Sequence, residues 1–80
     1  MTCRQLYLTA RQRLTQAGID SPGGDAALLA QHFLGLDRTG LAIHGEETPA
    51  PEQEAAFLQA VEERASRRPL QYILGQWDFL

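Results

Sequence analysis

The sequence predicts a small all-α domain, a bundle of about five helices with the start of a β-hairpin at its carboxyl end. Three observations lead there. Apolar residues recur at three- and four-residue steps through most of the chain, the period of an amphipathic helix. Gly and Pro residues, several of them beside helix-capping residue types, cut that pattern into helix-sized pieces. The last residues, Gln76-Trp77-Asp78-Phe79-Leu80, alternate polar and apolar through Phe79 and read as the first strand of the hairpin. The expected division is a helical domain over 1–75 and a linker hairpin beginning over 76–80.

The first helix starts at Thr2, whose hydroxyl stands three residues before Gln5 as in a capping box. Cys3, Tyr7, Ala10, Leu14 and Ala17 form its apolar stripe with Leu6 beside them, and Gly18 ends it. Leu8 points almost opposite that stripe, either as a lone exposed leucine or as part of a contact surface. Ser21-Pro22 opens the second helix, a hydroxyl cap followed by proline at the first helical position. Asp25 in the first turn suits the helix dipole. Ala26, Leu29, Ala30 and Phe33 make the main stripe, while Ala27, Leu28 and Leu34 fall outside it. A helix apolar on most sides belongs in the middle of a bundle.

Gly35 stops the second helix, and Asp37 caps a short third one over 38–43, closed by Gly45. The fourth runs from about Pro51 to Arg67, with Phe57, Leu58, Val61 and Ala65 facing one way and Gln59, Glu62, Glu63 and Ser66 facing water. Pro69 interrupts, since proline cannot continue a helix but can begin one. A final turn or two over 70–74 ends at Gly75. Leu29, Phe33, Leu58 and Val61 are the expected core, with the other helices packed around the second.

Composition excludes several classes. The chain of 80 residues carries ten acidic and seven basic residues, a formal charge of −3. A duplex-binding module carries a basic patch instead, so a helix-turn-helix reading of the third helix is set aside. No apolar run approaches the roughly 18 residues of a membrane span. The amino terminus scatters charges through its apolar residues, unlike a secretory signal. One cysteine, Cys3, fits a reducing compartment, and the expected location is the cytoplasm.

No catalytic, cofactor-binding or metal-binding residue is assigned. His32, His44 and Cys3 stand on different segments, so metal ligation is not expected. Glu46-Glu47 and Glu62-Glu63 are adjacent carboxylates that point apart on a helix and read as solvated charge. Gly23-Gly24 lacks the preceding strand and the spacing of a phosphate-cradling loop. No serine or cysteine stands in a nucleophile setting, and there is no lysine.

The informative stretch is Arg67-Arg68-Pro69-Leu70-Gln71-Tyr72-Ile73-Leu74-Gly75-Gln76-Trp77-Asp78-Phe79. Its Pro-x-Gln-Tyr-Ile-x-Gly run, preceded by arginines on a helix and followed by aromatic residues, resembles the HemK-type (PrmC) release-factor glutamine methyltransferases. Upstream, Ser21-Pro22, Asp25-Ala26, Leu28-Leu29, His32, Leu34-Gly35-Leu36 and Arg38 fall in the order of that family's amino-terminal domain. Ala50 departs from the pattern: the family usually has Ser or Thr directly before Pro-Glu, and Thr48 is the alternative cap.

The resemblance implies a helical domain that helps hold a class-1 peptide release factor, followed by a catalytic domain of the same protein. That domain uses S-adenosylmethionine to methylate the glutamine of a Gly-Gly-Gln loop. Its Gly-rich loop and Asn-Pro-Pro-Tyr motif do not occur in these residues, so this chain alone is expected to bind no cofactor and to be inactive. Contacts with the partner or the catalytic domain are placed at Gln71, Tyr72, Trp77, Phe79 and Leu8, against the plainer reading that Tyr72 and Ile73 pack and Gln71 bonds backbone. The alternative function is a free-standing helical protein–protein interaction module. Against it stands the terminal strand, which has no partner in this chain.

Overall fold

A computed structural model describes the backbone of residues 1–77 and the side chains of residues 1–75. Among the described residues there are five helices: α1 (Cys3–Gln16), α2 (Pro22–Leu34), α3 (Arg38–His44), α4 (Pro51–Ala65) and α5 (Leu70–Trp77). The all-α class is as predicted. None of these helices is long and apolar enough to cross a membrane.

The helix starts follow the capping chemistry, with two refinements. Thr2 forms the full reciprocal box: Gln5 N–H donates to Thr2 Oγ1 at 3.2 Å, and Thr2 N–H donates to Gln5 Oε1 at 2.8 Å. Asp37 Oδ1 accepts from Gly40 N–H at 2.7 Å. At α2 the hydroxyl of Ser21 makes no capping bond, and only its carbonyl takes part, accepting from Asp25 N–H at 2.9 Å. At α4 the cap position is Ala50, not Thr48. Alanine has no oxygen to offer, so one half of the box remains: Ala50 N–H donates to Gln53 Oε1 at 3.0 Å.

Both α1 and α4 end in the Schellman pattern, in which a left-handed residue lets two N–H groups turn back onto the last carbonyls. At α1 that residue is Gly18, φ +78°, and Ile19 N–H reaches Leu14 O at 3.1 Å. At α4 it is Arg67, φ 74°, with Arg68 N–H reaching Glu63 O at 3.2 Å. The fourth helix therefore stops at Ala65, short of the expected Arg67. Arg67 Nη2 also donates to Ala17 O at 3.0 Å, so the residue that turns the chain after α4 caps the neighbouring end of α1.

The core lies where α1, α2 and α4 meet, each touching the other two. Cys3, Leu6, Ala10 and Leu14 come from α1, and Ala26, Leu29, Ala30 and Leu34 from α2. Phe57, Ala60 and Val61 come from α4, and Ile73 from α5. Phe57 is the largest fully buried side chain. Four alanines with no exposure, Ala10, Ala26, Ala30 and Ala60, belong to the same core, so small residues accompany the large one. Thus α2 is one of three mutually packed helices and not a lone centre.

Two expected core residues are corrected. Phe33 and Leu58 are only partly buried and pack against the core from outside. Phe33 lines a cleft shared with Leu28, Leu74 and the α4 residues Glu52, Gln53 and Ala56, so part of its ring borders open space and not the core. On α4 the buried stripe runs through Phe57, Ala60 and Val61, leaving Leu58 on its flank.

At the carboxyl end the helix passes through Gly75 and continues to Trp77. Gln76 and Trp77 are therefore helical in their backbone and do not begin a strand. Asp78, Phe79 and Leu80, the rest of the expected strand, lie outside the described residues.

Candidate partner-contact surfaces

Two surfaces bring together the residues singled out from the sequence. On α5, Tyr72 N–H and Ile73 N–H donate to Pro69 O at 3.0 and 3.2 Å, so the helix starts directly after the proline. Ile73 has no exposure, and this anchors α5 to the bundle. Gln71 and Tyr72 are exposed, Tyr72 at 55%. The Arg68 guanidinium carbon is 5.4 Å from the centroid of the Tyr72 ring, a cation–π distance. The packing reading thus holds for Ile73 but not for Tyr72, and Gln71 makes no side-chain hydrogen bond among the described residues. The side chain of Trp77, and Phe79 altogether, lie outside the described residues.

Leu8, half exposed at 50%, belongs to a different surface. It lines a groove of about 530 Å³ walled by α1, the first turn of α2 and α3. Arg4, Leu8 and Arg11 stand on one face of α1 at four- and three-residue steps, opposite Arg38 and Leu41 of α3. Gly23 and Gly24 form the α2 side, and Tyr7 Oη lies 3.5 Å from Gly23 O. No acidic side chain lines this groove. The sequence reading selected Leu8 and passed over Arg11 and Arg38. The spacing of Arg4, Leu8 and Arg11 was legible, but their approach to Arg38 depends on how α3 folds back.

That fold-back is tightly specified. The first N–H groups of a helix have no partner within it. Here Cys3 N–H donates to Glu47 O and Arg4 N–H to Gly45 O, both at 2.9 Å, so the segment after α3 is bonded to the start of α1. Arg4 pairs with Glu46, and its Nη2 is 3.3 Å from Leu41 O and 3.4 Å from Ala42 O, near the end of α3.

The other arginines are engaged in the scaffold. Arg13 makes a two-pronged pair with Glu62, at 3.0 and 3.1 Å. Arg64 Nε donates to Asp25 Oδ2 at 2.8 Å, tying the end of α4 to the start of α2, with side-chain exposures of 23% and 14%. Arg68 Nη1 lies 3.4 Å from Glu63 Oε1. Among the described residues no group of three or more His, Cys, Asp and Glu could hold a metal ion.

Residues 5–75 match the model of the PrmC N-terminal domain. The chain belongs to the PrmC N-terminal domain family. Three curated relatives share the name release factor glutamine methyltransferase. The one from Deinococcus radiodurans is 45% identical over 79 residues, covering 99% of this chain and 28% of the relative. The one from Mycolicibacterium smegmatis is 46% identical over 70 residues, 88% of this chain and 24% of the relative. The one from Moorella thermoacetica is 36% identical over 80 residues, 100% of this chain and 28% of the relative. The chain therefore spans less than a third of the length of these relatives. No solved structure matches it. Within the PrmC N-terminal domain, the Pro-x-Gln-Tyr-Ile-x-Gly run forms the start of α5, with Ile73 as its anchor.

Proposed function

We propose that this chain is the substrate-recognition part of a protein-(glutamine-N5) methyltransferase acting on class-1 peptide release factors in the cytoplasm. The observation that carries this reading is the match of residues 5–75 to the PrmC N-terminal domain, with relatives named for release-factor methylation over nearly the whole chain. The substrate group is the glutamine of a Gly-Gly-Gln loop. Its amide nitrogen is a poor nucleophile, so transfer depends on holding the loop in place against the methyl donor. A helical domain that grips another part of the release factor contributes to that positioning by making the encounter effectively intramolecular.

S-adenosylmethionine supplies the methyl group in this reading, and the residues of this chain do not fit it. Gly23 and Gly24 lie inside the first turn of α2 and follow no strand, so they form no phosphate- or nucleoside-cradling loop. In this reading the cofactor seat and the reacting groups belong to a catalytic domain elsewhere in the parent protein.

The test separates recognition from chemistry. In the parent enzyme, deletion of residues 1–75 should raise KM for the intact release factor while leaving the rate on a short Gly-Gly-Gln peptide nearly unchanged. Methylation is followed by mass spectrometry of the glutamine peptide. Equal loss on both substrates would show that the domain only supports folding, and no effect on either would show that it takes no part in recognition.

A further inference from the structure

We propose that the groove between α1, α2 and α3 is where the release factor docks, through an acidic segment that also carries an aliphatic or aromatic side chain. This rests on the recognition role above and names its surface. The chain has seven arginines and a net charge of −3, so most of its positive charge meets negative charge on its own surface. Arg4, Arg13, Arg64 and Arg68 form ion pairs, and Arg67 donates to the carbonyl of Ala17, the capping residue just after α1. Arg11 and Arg38 do neither among the described residues, and both line this groove. No acidic side chain lines the groove itself; Arg4 is matched by Glu46, and Arg11 and Arg38 leave it with two unpaired positive charges.

Its shape narrows the partner further. Guanidinium groups on two walls match carboxylates through paired N–H donors. Between them lie Leu8, half exposed, and the partly buried Leu41, which offer a place for one apolar side chain. An extended phosphate backbone would require a longer basic stripe than two unpaired arginines on a chain of net charge −3. The groove is also preformed, because the Cys3–Glu47 and Arg4–Gly45 backbone bonds hold its α1 and α3 walls together. Binding there orders little of the domain.

The experiment titrates this 80-residue chain with the class-1 release factor of its own organism, read by calorimetry and by amide shifts of the labelled chain. The Arg11→Glu, Arg38→Glu double variant should bind about tenfold more weakly or worse, and wild-type binding should weaken as salt rises. Gln59→Ala, at an exposed position of α4 that does not line the groove, should bind like wild type. Arg11 and Arg38 have no ion pair to lose, so the thermal midpoint of the double variant should hold. If it does not, the milder Arg11→Gln, Arg38→Gln variant carries the same comparison. Wild-type binding that survives both reversals overturns the groove and leaves the recognition role standing. Absence of any wild-type binding overturns both. Tighter binding of a duplex RNA than of the release factor, lost on reversal, would reassign the groove to nucleic acid.

Discussion

Cys3 shows how one residue carries both packing and a titration. Its side chain is almost fully buried at the start of α1, and burial together with the nearby Glu47 carboxylate pushes the thiol above its ordinary value of 9.0. In the unfolded chain the thiol ionises at that ordinary value, whereas the folded chain holds its proton to higher pH. The folded state therefore binds more protons in the alkaline range, and stability falls as pH rises from about 9 through the folded value. Wild-type and Cys3→Ala chains, melted from pH 7 to pH 10, should differ in slope on the alkaline side, the variant losing stability less steeply. Parallel curves would mean that the thiol titrates normally. Arg67 is the other instructive residue. It holds a left-handed backbone that glycine adopts more readily, and its side chain reaches Ala17 O.

At the scale of elements, the five helices differ in how well they are closed. α1 has its full capping box and a glycine stop, whereas α4 begins at Ala50 with only the Gln53 half of the box. Ala50→Ser should restore the missing acceptor for the N–H of residue 53 and stabilise the domain by about 0.5–2 kcal/mol, read as a shift in the urea midpoint. Thr48→Ala should leave that midpoint nearly unchanged, because Thr48 lies outside the cap; a clear loss there would move the helix start. α3 contributes no buried residue, and it stays in place through backbone bonds between its following segment and α1. α5 is held by Ile73, while its neighbours Gln71 and Tyr72 stay exposed.

At the scale of the molecule, one phenylalanine organises the bundle. Phe57 is fully buried where α1, α2 and α4 converge, while Phe33 fills only the edge of a cleft. Phe57→Ala should cost about 3–5 kcal/mol, a large share of the roughly 5–15 kcal/mol that holds a typical domain together. Phe33→Ala should cost clearly less, since part of its surface is already outside the core. Equilibrium unfolding of both variants decides the point: equal losses would place Phe33 in the core after all. The Arg64–Asp25 pair closes the same bundle at the junction of α2 and α4, and its low exposure distinguishes it from the surface pairs around it.

By itself the sequence determined the fold class, the order of the helices, most of their ends and the family. Those features are local: a 3.6-residue apolar period, a hydroxyl or carboxylate at a cap, and a glycine at a left-handed stop act within a few neighbours. The family likeness is likewise carried by residues close along the chain, Pro69 to Gly75 above all. Tertiary structure alone decided that Phe57 and not Phe33 is central, because burial depends on what packs around a side chain, and Phe33 borders an open cleft. It also decided that Gly75 continues a helix, and that Arg11 and Arg38 stand around Leu8. A helical glycine and a stop glycine look alike in a sequence, since the difference is one backbone angle set by packing. The groove depends on α3 being bonded back onto α1, a contact between residues more than 40 positions apart that periodicity along one helix cannot encode.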